Sequence, residues 1–129
     1  ALIIDSYIQR KRQLIKSILN NGTDVISGFQ PYLYSKKTLH NNEKNYLEKY
    51  NVMYSQFGKP YANIKYLYEK IQDNNEFKEC TDLNFNKLFS NEKEDSFIDF
   101  CHTNDYGEKI IAKHYCESLV KILEKKYNE

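Results

Sequence analysis

No run of apolar residues in this 129-residue sequence approaches the ~18 that a bilayer-spanning helix requires, so no helical membrane span is expected. An excess of positive charge is also missing: 19 Lys and Arg stand against 18 Asp and Glu, a net charge of +1. Proteins that grip phosphate backbones carry a basic surplus, and the short run Arg10-Lys11-Arg12 reads as a solvated helix face. No nucleic-acid partner is expected. Cysteine is scarce and odd in number. Cys80, Cys101 and Cys116 make no disulfide framework, and neither a C-x-x-C nor an H-x-x-x-H pair is present to mark zinc. Joining Cys101, His102, His114 and Cys116 fits no zinc-finger spacing, so buried free thiols are the plainer reading and no metal is expected. The first residues, ALIIDSYIQRKR, lack a Met, a basic n-region and a cleavage pattern, as in a mature N-terminus, a tagged chain or a fragment of something longer. A single Asn-Gly-Thr sequon at Asn21 is too common by chance to imply secretion.

What is present is a polar globular composition. Hydrophobic residues make up 40%, charged residues 29% and mean hydropathy is −0.78, which fits one domain with a core and gives no case for disorder. Leu2 to Leu19 has helical spacing, with Ile4, Tyr7, Ile8, Ile15, Ile18 and Leu19 near one face. Asn20-Asn21-Gly22 supplies its stop, with Gly22 suited to a left-handed C′ position. The β-branched run from Asp24 to Phe29 follows, closed by Gln30-Pro31; helix, Gly and strand in that order mark an α/β crossover unit. Tyr32 to Asn42 is aperiodic and reads as loop. Glu43 to Phe57 reads as helix, Gly58-Lys59-Pro60 as a break, and Tyr61 to Ile71 as a further helix. Tyrosines gather between Tyr46 and Tyr68; such a stripe is usually a core face, with sugar stacking the minority reading. Phe77 to Phe89 suggests a short strand followed by a turn of helix, and Asn91 to Asp95 a charged surface loop. Ser96 to Phe100 is a short apolar stretch ending on Asp99. From Asn104 or Asp105 a last helix runs to about Lys126, with Ile111, Tyr115, Leu119, Ile122 and Leu123 expected inward.

One junction carries chemistry. Asp99 and His102 stand three residues apart where the apolar stretch stops and the last helix has yet to start. A carboxylate that fixes a His tautomer frees the other ring nitrogen to take a proton from a hydroxyl. The bland alternative is a capping Asp beside an exposed His, and spacing alone favours it.

The wider stretch DFCHTNDYGEKIIAKHY resembles the last conserved block of the SGNH hydrolases, also called the GDSL esterase and lipase family. The matching residues are Asp99, His102, Asn104, Gly107 and the Ile111-Ala112 pair. The upstream run YIQRKRQLIKSILNNGTDVISGFQP is similar to that family's helix, Gly turn, strand and Gln-Pro segment. The resemblance implies an α/β fold: a three-layer flavodoxin-like sheet with flanking helices, of which this chain supplies the C-terminal half. Strands near Val25–Gly28 and Phe97–Asp99 should then lie parallel and adjoining. It also implies an ester hydrolase or acyl transferase with a Ser-His-Asp triad, in which His102 is the base and Asp99 its orienting partner. The substrate would be a small-molecule or glycan ester, and no cofactor is implied. The family's Gly-Asp-Ser and Gly-x-Asn-Asp blocks do not occur here; Asp5-Ser6 lacks the preceding Gly and opens the first helix. The nucleophilic Ser is therefore expected on a segment upstream of Ala1, and the chain alone is expected to be inactive. Two other readings stand beside this one: an inactive α/β module that binds a partner or a glycan, and an unrelated helical interaction domain.

Overall fold

Helix α1 (Leu2–Asn20) buries Ile4, Ile8 and Ile15, one stripe at helical spacing. It ends as its Asn-Asn-Gly tail dictates. Gly22 takes φ 75°, its N–H donates to the Leu19 carbonyl at 2.9 Å, and the Thr23 N–H reaches back to Ile18. Only glycine adopts that left-handed conformation without strain, so the chain turns there and enters strand β1 (Ile26–Phe29). The computed structural model describes residues 2–55, 77 and 80–128. The expected helix over Tyr61–Ile71, the Gly58-Lys59-Pro60 break and the half of the tyrosine stripe at Tyr61, Tyr66 and Tyr68 lie outside the described residues.

Strand β1 pairs in parallel with β2 (Thr81–Asn84), in the register Ile26–Thr81, Ser27–Asp82, Gly28–Leu83 and Phe29–Asn84. The described residues are thus mixed helix and strand around a two-stranded parallel sheet. This corrects the expected pairing of Val25–Gly28 with Phe97–Asp99. Among the described residues, Phe97 makes only an isolated antiparallel bridge, to Thr103. The cause is local: Asp99 draws the backbone into a tight turn, so the segment folds on itself, with Ile98 N–H donating to His102 O and Asn104 N–H to Ser96 O. No extended length remains to pair with a neighbour. The strand that does pair comes from the Phe77–Phe89 stretch. There Asn84 closes β2 and caps the short helix α3 (Phe85–Phe89), accepting from the Asn86 and Lys87 N–H groups.

Paired residues in register share a face of a sheet and successive residues alternate, so Gly28 and Leu83 face one way and Phe29 and Asp82 the other. Phe29 packs with Ile4, Ile8, Ile15 and Phe77 under α1. On the opposite face Leu83 packs against the cluster of Leu33, Phe85, Phe89 and Phe97, which also takes Ile110, Ile111 and Tyr115 of the last helix, α4 (Asp105–Tyr127). Helices α1 and α4 therefore cover opposite faces. At Gly28 α4 lies close against the strand: a methyl there would collide with the Tyr115 hydroxyl. Two expected inward positions of α4 turn out to be surface, Leu119 at 49% and Leu123 at 42% exposure, and Tyr7 of α1 is likewise 41% exposed. Helix α2 (Asn41–Ser55) begins after a 3-10 turn at Leu33–Ser35 and places Tyr46, Leu47 and buried Tyr50 toward the interior. Among the described residues, no helix is long and apolar enough to cross a membrane.

Candidate active site at the Asp99–His102 turn

The turn is built by one carboxylate. Asp99 Oδ1 accepts the backbone N–H of Cys101 at 2.8 Å and of His102 at 2.7 Å. An Asp side chain that bonds the backbone two and three residues ahead reproduces a turn of backbone, which is why D-x-x-H folds locally. The second oxygen, Oδ2, is then aimed at the His102 ring and meets Nδ1 at 2.6 Å. With Nδ1–H donating to Asp99, the lone pair falls on Nε2, and the His102 side chain is 65% exposed.

Charge follows from this geometry. Partial burial opposes ionisation of Asp99, but the backbone donations from Cys101 and His102, with the His102 ring, outweigh it and hold the carboxyl below its ordinary value. Cys101 moves the other way. Burial, and then the neighbouring Asp99 charge, push its thiol up to about 11, so it stays protonated near neutrality and is no nucleophile. Its sulfur lies 3.6 Å from His102 Nδ1.

The rest of the chain clamps the turn. Gln30, one residue beyond the end of β1, donates from Nε2 to Cys101 O at 2.9 Å, and Leu33 N–H donates to Phe100 O at 2.9 Å. These bonds set the turn beside the C-terminal end of β1, the edge where open α/β sheets bind ligands. The Gln30 carbonyl is in turn held by Asn86 Nδ2, whose Oδ1 accepts from Tyr32 N–H. Phe100 stacks on Tyr50 at 4.0 Å between ring centroids. Downstream, Asn104 caps α4 by accepting from Tyr106 and Gly107 N–H, while its Nδ2 donates to Asp95 O. Gly107 sits where α4 presses on the turn segment; a Cβ there would lie 2.5 Å from the Ser96 carbonyl oxygen.

Upstream, the segment is anchored by a buried ion pair. Lys36 Nζ donates to both oxygens of Glu43, at 2.7 and 2.8 Å, and to Glu94 O at 2.7 Å. Glu43 also accepts from Ser96 N–H through Oε1 and from His40 N–H through Oε2. Both side chains are fully buried and every donor and acceptor in the pair is used.

The structure brings Asp99 and His102 together and leaves His114 and Cys116 apart from them. His114 sits mid-way along α4, 3.8 Å from Glu117, and Cys116 is exposed. Sequence reasoning did not find Gln30, Lys36 or Glu43 as supports. In the sequence Gln30 reads as part of a strand-closing dipeptide, and an acid and a base seven residues apart carry no pattern that marks burial. No protein-family model, curated protein or solved structure matches the chain.

Proposed function

We propose that this chain carries the acid and base of a Ser-His-Asp ester hydrolase or acyl transferase of the SGNH type. An upstream segment would supply the nucleophilic Ser, the oxyanion donors and the strands that complete a three-layer flavodoxin-like sheet. The observation that supports this reading is the 2.6 Å contact between Asp99 Oδ2 and His102 Nδ1, in a turn whose other carboxylate oxygen is fixed by two backbone N–H groups. In this mechanism His102 Nε2 takes the proton from the Ser hydroxyl as its oxygen attacks the ester carbonyl. Asp99 holds the ring and stabilises the imidazolium. The proton then passes to the departing alkoxide, leaving an acyl-enzyme that water or an acceptor hydroxyl cleaves by the same route in reverse. Cys101, protonated and turned toward the carboxylate, takes no part.

The test is ester hydrolysis by the protein extended to include its upstream sequence. His102→Ala should lower kcat on the order of 10⁶-fold and Asp99→Asn on the order of 10⁴-fold, the scale found for serine triads. The 129-residue chain alone should leave a short-chain ester uncleaved. Full turnover in the His102→Ala protein would remove the assignment.

A further inference from the structure

The turn that builds the dyad also gathers a second set of donors. Asp99, Cys101 and His102 each offer one ligand atom, a carboxylate oxygen, Sγ and a ring nitrogen, and the three lie within 4.8 Å of one another. We propose that this turn binds a thiophilic divalent cation of the Zn²⁺ class through those three atoms, and that binding switches off His102 as a base. The inhibitory half rests on the hydrolase reading; the binding half does not.

Geometry selects the donors. Zinc holds sulfur at ~2.3 Å and nitrogen at ~2.0–2.1 Å, so two tetrahedral ligands of those kinds stand about 3.5 Å apart. The Cys101 Sγ to His102 Nδ1 distance is 3.6 Å. The carboxylate and the ring, at 2.6 Å, are a proton's width apart and must open by somewhat under an ångström to admit a metal. His102 is free to make that movement, being 65% exposed in its side chain. Asp99 Oδ1 is already occupied by two backbone donors, which leaves Oδ2 as the ligand atom. Gln30 holds the Cys101 carbonyl and Leu33 the Phe100 carbonyl, so the donors hang from a braced backbone of the sort that outer-sphere bonds provide in metal centres. One sulfur, one nitrogen and one oxygen suit Zn²⁺ or Co²⁺ and not Mg²⁺ or Ca²⁺, which take mostly oxygen ligands.

Binding would move two protons. The Cys101 thiol releases one to solvent, and the ring exchanges its Nδ1 hydrogen for one on Nε2. The metal then occupies the place between Asp99 and His102 that the catalytic hydrogen bond needs, and Nε2 carries a hydrogen where the base requires a lone pair. Metal and activity are mutually exclusive.

The test is a Co²⁺ titration of the protein, read in the near-ultraviolet thiolate-to-cobalt charge-transfer band, followed by displacement with Zn²⁺. A band saturating at one equivalent is expected. Cys101→Ala should abolish it, and His102→Ala should weaken binding by more than the roughly 10–100-fold that an outer-sphere change costs. Cys80→Ser with Cys116→Ser should leave it intact. Circular dichroism establishes that each variant is folded, and the wild-type titration decides the binding half without any variant. Absence of the band, or its persistence in Cys101→Ala, overturns the site. In the extended protein, Zn²⁺ should inhibit ester hydrolysis and a chelator restore it. A band without any hydrolysis would sink the hydrolase reading and leave the site standing; hydrolysis without a band would do the reverse.

Discussion

Replacing Gly107 by Ala reverses the usual sign of such a change. In an ordinary helix interior, Gly→Ala stabilises by about 1 kcal/mol, because glycine has more backbone freedom to lose. Gly107 lies in the first turn of α4, buried against the turn segment. A Cβ there would stand 2.5 Å from the backbone oxygen of Ser96, 2.8 Å from Thr103 Cβ and 2.9 Å from Thr103 Cγ2. The closest of these is backbone, already engaged by Asn104 N–H, and cannot swing away as a side-chain tip would. Forcing extra carbon into such a contact costs about 1–3 kcal/mol. Displacing α4 also strains the Asn104 cap, worth about 1 kcal/mol. Set against the helix gain, the net loss is about 1–3 kcal/mol, which at roughly 4 °C per kcal/mol lowers Tm by about 4–12 °C. The paired control is Ala112→Gly on the exposed side of the same helix, which should lose about 1 kcal/mol by the ordinary rule. Thermal unfolding followed by circular dichroism reads both. A Tm for Gly107→Ala at or above wild type would refute the close approach of α4 to the Ser96–Thr103 segment.

Glu43→Gln should cost about 3–5 kcal/mol, because Lys36 would remain buried opposite a neutral amide; the Lys36→Met/Glu43→Leu double variant should recover only part of that loss in urea unfolding, since the Ser96 and His40 N–H groups lose their acceptor and the Glu94 carbonyl its donor. Asn104→Ala removes both acceptor bonds at the start of α4 and should lower stability by about 1 kcal/mol; Asn104→Asp restores the cap but loses the donation to the Asp95 carbonyl, and should recover only part of that loss. Asp99 has its carboxyl pKa held down in the folded state, so its contribution is present above the unfolded value near 3.8 and is lost as pH falls through the lower folded value. Asp99→Asn should accordingly flatten that part of the acid limb of a stability-versus-pH curve; an unchanged limb would mean that the turn does not hold the carboxylate. Gly28→Ala should expel the Tyr115 ring from its contact with Phe85, readable as a changed near-ultraviolet tyrosine signal.

Elements written into short stretches were legible, and choices between distant stretches were not. The α1 stop at Gly22, the cap and start of α4, and the Asp99 turn each follow from a few adjacent residues whose side chains satisfy nearby backbone. Strand pairing does not. Val25–Gly28 and Phe97–Asp99 both look like short buried strands, but the Asp99 carboxylate competes for the backbone that a ladder would need, and the self-closing turn wins. The periodicity of α4 marked Leu119 and Leu123 as inward, yet the sheet is only two strands wide among the described residues and the packed part of α4 lies near its start, at Ile110, Ile111 and Tyr115. The Lys36–Glu43 pair was invisible because charge at those positions reads as surface until the loop around them closes.

That closing has a kinetic side. Asp99 and His102 are three residues apart, but what holds them in place reaches far along the chain: Gln30 to Cys101 spans 71 residues, Lys36 to Glu94 spans 58 and Glu43 to Ser96 spans 53. Each of those bonds closes a long loop, whose entropy is lost before the contact repays it. A peptide cut to the turn can therefore sample the Asp–His hydrogen bond without fixing where the imidazole points. During refolding, the helices should gain their circular dichroism before the imidazole is locked in direction, so the dyad is among the last features to mature and among the first to be released when the chain begins to open.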